Sequence, residues 1–494
     1  MKRPIPHATR GARDTACGPT VTAAILLFTL LGVCACAHSG AKADGGQGVA
    51  GKSVVWGQWP SAEAAGFDAA RLEQIRATAD KNQSGAVMAV YQGHVLAAWG
   101  DVNRKLELHS VRKSLYAAMW GIAEAKGLID LNATLESLGV DDVPALQPGE
   151  KKARLIDLLH ARSGVYHPAA YASGEQEASL PVRGSKQPGS FWVYNNWDFN
   201  VAGALLEKIG GKPIGVLFEE WIARPIGMED YRPDDVFMVR EPGQSQWPAL
   251  TFRMSTRDLA RFGQLWLNQG RWNGRQVVPA AWIARASTPA SETGNPGEGY
   301  ATMWWSYTPE TGGKYPNVGR MQTLVARGTG GQAVFVIPDA HLVVVHRGDT
   351  DHHRGVPGSD IWSMVDGIVG ARTKAAGTAV TMSAVHAQPF ASQLPPLEWP
   401  SAVALEPRVA ERLSGQYEFK PGVVGTIFVQ DGGIFAFMPG QGEAELFPIS
   451  STEFFLRVDP TAKVRIQNDD TGRPTTVVFT IRGREFVGKR VGGS

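Results

Sequence analysis

Ser110-Val111-Arg112-Lys113 sets a hydroxyl and an amine three residues apart at the head of an apolar-periodic stretch. On a helix, residues i and i+3 share a face, so the Lys113 amine can point at the Ser110 oxygen. A serine hydroxyl is a poor nucleophile at neutral pH and needs a neighbour to take its proton. A helix N-terminus adds backbone N–H groups and the positive end of the dipole, both favourable to an oxyanion. The chemistry within reach of this pattern is acyl transfer through serine. The same residues also fit a capping serine followed by a solvated lysine, and a second S-x-x-K stands at Ser39-Gly40-Ala41-Lys42 in a small-residue stretch.

Tyr194-Asn195-Asn196 follows 84 residues after Ser110, in FWVYNNWDFNVAGALLEKIGG. A phenol beside lysine can have its pKa lowered and serve as base and then acid, while an Asn amide can orient lysine and substrate. A buried tyrosine ahead of an amphipathic helix explains the motif equally, and Tyr315-Pro316-Asn317 repeats its pattern. Asp349-Thr350-Asp351-His352-His353 holds metal-ligand residue types, yet they are consecutive with no identifiable distant partner, so a polar loop is expected rather than a metal site. Trp192, Trp197, Trp304 and Trp305 flank these segments and either line an apolar cleft or pack the core. His109 reads as a structural neighbour of Ser110 rather than a relay.

Positioning these groups takes a sheet and helices. Gly85 to Gly100 reads as two apolar strands turning at Gln92-Gly93, and Gln332 to Arg347 as two more around Pro338-Asp339. Helices are expected from Ser110 to a stop at Gly127, over Asn200 to Ile209, and over Arg257 to Asn268 with Ser255 or Thr256 as N-cap. Strands at both ends with helices between them imply one sheet covered by helices over residues 54–370. Residues 371–405, rich in Ala, Thr, Ser and Pro, read as a linker. In 406–494 seven or eight short strands separated by turn residues predict a small antiparallel β-barrel or sandwich.

Composition narrows the function. With Lys+Arg 49 against Asp+Glu 47 the net charge is +2, and 43% of the 494 residues are hydrophobic. That excludes disorder and offers nucleic acid no basic face. Gly and Pro make up about 18% of the chain, below the level of low-complexity sequence. Basic residues precede the run VTAAILLFTLLGV (Val21 to Val33), too short to span a bilayer and suited to a signal peptide over 1–37. Either Cys36 or Cys34 is then acylated, as in a lipoprotein, or cleavage follows Ala35-Cys36-Ala37. The expected location is the periplasm or a membrane surface reached only through a lipid anchor. Cys17, Cys34 and Cys36 are the chain's 3 cysteines, so the mature body has no thiol chemistry. Residues 38–53 form a spacer.

Taken together, these segments resemble the serine β-lactamase-related family: class C β-lactamases, the D-alanyl-D-alanine carboxypeptidases and D-aminopeptidases built like them, and family VIII esterases. S-V-R-K resembles the family's S-x-x-K. LIDLLHARSGV is similar to its LL-x-x-x-SG segment, and Tyr194 to Asp230 to its Y-x-N helix and following turn. Arg253 to Pro279, GYATMWW and ARGTGGQAVFVIPDAHLVVV complete the series in order. The resemblance implies a β-lactamase/transpeptidase-like α+β fold, an antiparallel sheet flanked by helices plus a helical lobe. It implies Ser110 as acylated nucleophile, Lys113 as proton acceptor, Tyr194 as general base and acid, and Asn196 as a substrate-orienting amide. No cofactor and no metal are required. The family's K-[ST]-G corresponds to Ala326-Arg327-Gly328-Thr329-Gly330, with alanine in the lysine position. Arg327 could supply the charge, although strand neighbours face opposite sides. Gly328 and Gly330 allow close approach to substrate, and the Thr329 N–H would join the Ser110 N–H as oxyanion hole. The expected substrate is a small ester, amide or peptide, with a β-lactam less favoured. A catalytically silent, penicillin-binding-like module that binds a ligand or partner is the alternative.

Overall fold

Gln332–Ile337 (QAVFVI) and Leu342–Gly348 (LVVVHRG) are buried along their whole length and form a hairpin through the turn Pro338–Ala340. Continuous apolar runs of this length belong to strands covered on both faces. A second hairpin joins Ser84–Tyr91 to His94–Gly100, with Gln92 at φ 51° and Gly93 at φ 80° supplying the tight turn. In the computed structural model, which describes residues 56–309, 313–439, 442–481 and 483–492, these hairpins are the centre of a 10-stranded sheet. From His94–Gly100 the sheet continues through Trp56–Gln58 to the edge strand Thr381–Ser383. From Gln332–Ile337 it passes through Thr323–Gly328, Trp305–Tyr307 and Glu298–Tyr300 to Ser291–Glu292. Trp56–Gln58 pairs parallel to His94–Gly100 through Gln58 and Val95, so the sheet is mixed and not wholly antiparallel.

Successive side chains along each strand point to opposite faces. Val87, Ala89, Tyr91, Phe335 and Val344 belong to the core beneath the helices Ala69–Lys81 and Gly358–Gly370. Met88, Val90, Val334 and Val343 join the other core, with the helices Thr256–Leu267, Arg112–Ala125 and Asn196–Gly210. Ser255 caps Thr256–Leu267 by accepting from the Asp258 N–H. Asn196–Gly210 begins four residues before the start that periodicity suggested, because the Asn195 side chain accepts from the Trp197 N–H and caps it there.

The stretch 371–405 does more than link. Thr381–Ser383 adds the edge strand to Trp56–Gln58, and Gln388 is bonded to the backbone of Ala98 and Gly100. Phe390 is buried in the core under Ala69–Lys81. Periodicity missed it because only three residues pair at a time. Beyond it, Gly415–Lys420 through Arg484–Val491 form a closed barrel of eight antiparallel strands, filled by Tyr417, Ile427, Ile434, Leu446, Phe454, Val464 and Val477. The barrel meets the sheet-bearing body where Arg240 pairs with Glu445 and Glu443 accepts from the Gly243 N–H at 2.8 Å. The leader, with its hydrophobic run and cysteines, and the S-x-x-K at Ser39 to Lys42 lie outside the described residues.

Candidate active site

His109–Val111 forms a single 3-10 turn that runs directly into the helix Arg112–Ala125. Ser110 caps neither, and no side-chain cap bond is made at either helix start. Instead Lys113 Nζ lies 2.8 Å from Ser110 Oγ, 2.5 Å from the Tyr194 hydroxyl and 2.9 Å from Asn196 Oδ1. Helix spacing brings Lys113 under Ser110, and the chain reversal ahead of Asn196–Gly210 delivers the other two groups. The solvated lysine of the bland alternative is absent, since Lys113 is 1% exposed.

Burial, followed by the Arg112 charge, holds the Lys113 amine well below the ordinary lysine value. Arg112 is itself fixed by bonds to the Leu250 carbonyl and Asn200 Oδ1, each 2.9 Å. The Tyr194 phenol is pushed up, chiefly by burial, against lowering by the Ser110 hydrogen bond and by Arg112 and Arg327. This reverses the lowering expected from the motif. Desolvation disfavours the charged form of both groups, and so favours a neutral amine beside a neutral phenol. Asn196 Oδ1 accepts from Lys113 and its Nδ2 donates to the Tyr171 carbonyl at 2.6 Å, so the amide orients the lysine and the chain beside it.

Tyr194 stacks on Trp305 at 5.6 Å and 24°, and meets Tyr300 edge-on at 6.0 Å. Trp192 packs against Trp305 in turn. Of the four tryptophans, Trp192 and Trp305 therefore flank the site, whereas Trp197 and Trp304 are fully buried packing groups. Arg327 lies 3.5 Å over the Trp305 ring, with its charge met by Glu298 at 3.2 Å and its N–H donating to the Tyr307 hydroxyl at 2.8 Å. It does not stand in for the motif lysine as a free cation. Ala326 is buried on the face of the strand that packs toward the helices Arg112–Ala125, Asn196–Gly210 and Thr256–Leu267.

Gly328 lies close against the backbone of the Ser110 turn. A Cβ there would stand 2.5 Å from the Leu108 carbonyl and 3.2 Å from the Ser110 nitrogen. Thr329–Gly331 turns beside it, with Gly330 at φ 76° and Thr329 exposed. Three residues that the motif search passed over hold this turn. Gln332 accepts from Arg347 Nε at 2.6 Å and donates to the Gly348 carbonyl at 2.9 Å. Arg347, fully buried, also donates to the carbonyls of Met254, Leu106 and Glu107. His346 Nδ1–H donates to the Gly331 carbonyl at 2.6 Å, and its Nε2 accepts from the Ser84 hydroxyl at 2.9 Å. Their signal in the sequence was a polar His-Arg pair closing an otherwise apolar strand.

Asp349 and Asp351 face guanidinium groups: both pair with Arg104, and Asp351 also with Arg253. His352 Nδ1 lies 2.8 Å from Asp349. The acidic run thus has the distant partners that its sequence did not reveal, and they are cations.

Burial pushes His346 down to about 4 from an ordinary 6.5. Between those values the unfolded chain binds a proton that the folded chain refuses, so stability is complete above the ordinary value and falls as pH falls toward 4. The loss at the acid end is about 3 kcal/mol by the conversion of pKa shift to free energy. The contribution of His346 to the melting temperature is expected to be constant above pH 6.5, so that the fall below that pH is less steep in His346→Gln. An equal slope in that variant would remove His346 as the cause.

A family model described as Beta-lactamase matches residues 70–347. Among curated relatives, a putative D-alanyl-D-alanine carboxypeptidase of Salmonella paratyphi A is 25% identical over 211 residues, 34% of this chain and 49% of the relative. The chain thus spans about half the length of the curated relatives it matches. A solved putative 6-aminohexanoate-dimer hydrolase from Bacillus anthracis is 21% identical, covering 59% of this chain and 79% of that one at a TM-score of 0.44. A solved hydrolase with promiscuous acyltransferase activity, EstCE1, is 17% identical, covering 63% and 99% at a TM-score of 0.44.

Proposed function

Because the chain belongs to the β-lactamase family and is a serine-hydrolase-like enzyme, we propose that it cleaves a small ester or amide through a covalent acyl-enzyme on Ser110. The observation that carries this reading is the Lys113 amine, buried and held well below its ordinary value within hydrogen-bonding reach of Ser110, Tyr194 and Asn196. A neutral amine has two N–H bonds and one lone pair. Asn196 Oδ1 and the Tyr194 oxygen take the N–H bonds, and the lone pair faces the Ser110 hydroxyl.

Ser110 Oγ attacks the substrate carbonyl carbon while its proton passes to Lys113 Nζ. The oxyanion is received by the Ser110 and Thr329 N–H groups beside Gly328. Tyr194 gives its proton to the leaving oxygen or nitrogen and regains one from Lys113, so the alcohol or amine departs and Ser110 is acylated. Water then attacks the acyl carbon, its proton passing along the same two groups, and releases the acid and free serine. Substrates lacking a carboxylate beside the scissile bond are favoured over β-lactams, because alanine occupies the motif-lysine position and Arg327 is committed to Glu298. The proposal includes export through the leader and anchorage by an acylated Cys36 or Cys34.

Treatment of the purified protein with a fluorophosphonate probe is expected to place one adduct on the peptide containing Ser110. Labelling that persists in Ser110→Ala would defeat the assignment. The missing motif lysine favours the alternative of a silent binding module. Turnover of a short p-nitrophenyl ester by wild type, at a rate indistinguishable from that of Ser110→Ala, would establish that alternative.

A further inference from the structure

His109, directly before the nucleophile, has φ 47°, a left-handed conformation that bulky L residues rarely adopt. Such a residue persists only where its surroundings over-determine it. Here the imidazole Nδ1 lies 2.7 Å from the Tyr171 hydroxyl and Nε2 lies 3.3 Å from Thr350 Oγ1. The Tyr171 hydroxyl donates to Glu107 Oε1 at 2.5 Å, and Glu107 also accepts from the Thr251 hydroxyl at 3.2 Å. With a neutral imidazole these contacts admit one proton order. A carboxylate only accepts, so the single phenol proton goes to Glu107 and the phenol oxygen accepts from His109 Nδ1–H. Nε2 then accepts from the Thr350 hydroxyl. The His109 and Tyr171 rings lie within 5° of parallel, and burial lowers the imidazole pKa, in keeping with a neutral ring.

Both ends of this chain reach groups that flank Ser110. The Thr350 methyl packs on Gly330, where a Cβ would stand 2.1 Å from it. The Tyr171 backbone accepts from Asn196 Nδ2 and donates to Glu241 Oε1 at 2.8 Å. We propose that His109 is a positioning residue: through the ordered chain Thr350, His109, Tyr171 and Glu107 it holds the Ser110 turn in register with the Thr329–Gly331 turn. The inference rests on the reading of Ser110 as nucleophile.

Four full-length variants and the wild type decide it, each assayed with a p-nitrophenyl ester and for the rate of fluorophosphonate labelling. His109→Gly relaxes the backbone but removes the donor. Its kcat and labelling rate are expected to fall about 10- to 100-fold, the range for ångström-scale misplacement, with KM nearly unchanged. His109→Asn tolerates the same backbone and offers an amide N–H toward Tyr171, and is expected to recover most of that loss. Tyr171→Phe leaves the backbone bonds to Asn196 and Glu241 intact, so it is expected to match His109→Gly, and the double variant to be no slower than either single one. Wild-type kcat in His109→Gly and Tyr171→Phe, or His109→Asn no better than His109→Gly, would overturn the inference while labelled wild type upholds the hydrolase reading. Unlabelled, inactive wild type would end both.

Discussion

Lys113→Met is expected to reduce kcat/KM for an ester substrate by about 10³- to 10⁴-fold, the scale on which positioned proton-transfer groups act in concert. The fold is expected to persist. Methionine matches the length of the lysine stem and suits a site that is already desolvated, so the variant trades a buried polar group for an apolar one. Asn196 Oδ1 and the Tyr194 hydroxyl lose their shared partner, which limits any gain in stability. A melting temperature within a few degrees of wild type, together with that loss of activity, would separate chemistry from structure. Wild type should also show an acid limb in its rate profile. As pH falls, the Lys113 amine takes up a proton and can no longer receive the one from Ser110. Because burial holds that amine well below the ordinary lysine value, the limb lies far on the acid side of a solvated lysine. Full activity in Lys113→Met would refute the proposed mechanism.

Gly328→Ala is expected to lower kcat by about 10²-fold through displacement of the oxyanion donors. The cause is purely steric. Gly328 has φ −137°, open to any residue, but the added Cβ meets the Leu108 carbonyl at 2.5 Å and the Ser110 nitrogen at 3.2 Å. The nucleophile turn cannot easily recede, since the Leu108 N–H is tied to the Phe252 carbonyl at 2.8 Å. Overpacking of this kind also costs about 1–3 kcal/mol of stability. Gly358→Ala, at a helix start where an added Cβ meets nothing within 4 Å, serves as the control and should leave rate and melting temperature unchanged. Equal kinetics for the two variants would show that the Gly328 contact does not position the site.

Much of the fold was legible because local rules wrote it. The two hairpins announced themselves by apolar runs broken at Gln92-Gly93 and Pro338-Asp339, and Ser255 marked a helix start by its capping side chain. The edge strand Thr381–Ser383 was not legible. It is three residues long, and its reason for existing is the open edge of Trp56–Gln58, more than 300 residues away in the chain.

For the site, residue types and order along the chain were enough to nominate Ser110, Lys113, Tyr194, Asn196 and Gly328, because helix spacing and motif order are properties of the sequence itself. Only tertiary structure decided their electrostatics. Whether Lys113 is a solvated cation or a neutral base depends on desolvation, which sums over everything packed around it. Likewise, Arg327 was a candidate cation until Glu298 and Trp305 claimed it, and Asp349 and Asp351 were candidate ligands until Arg104 and Arg253 faced them. Spacing along a chain fixes which groups can share a face. The charge each group carries is set by neighbours that the chain brings from far away.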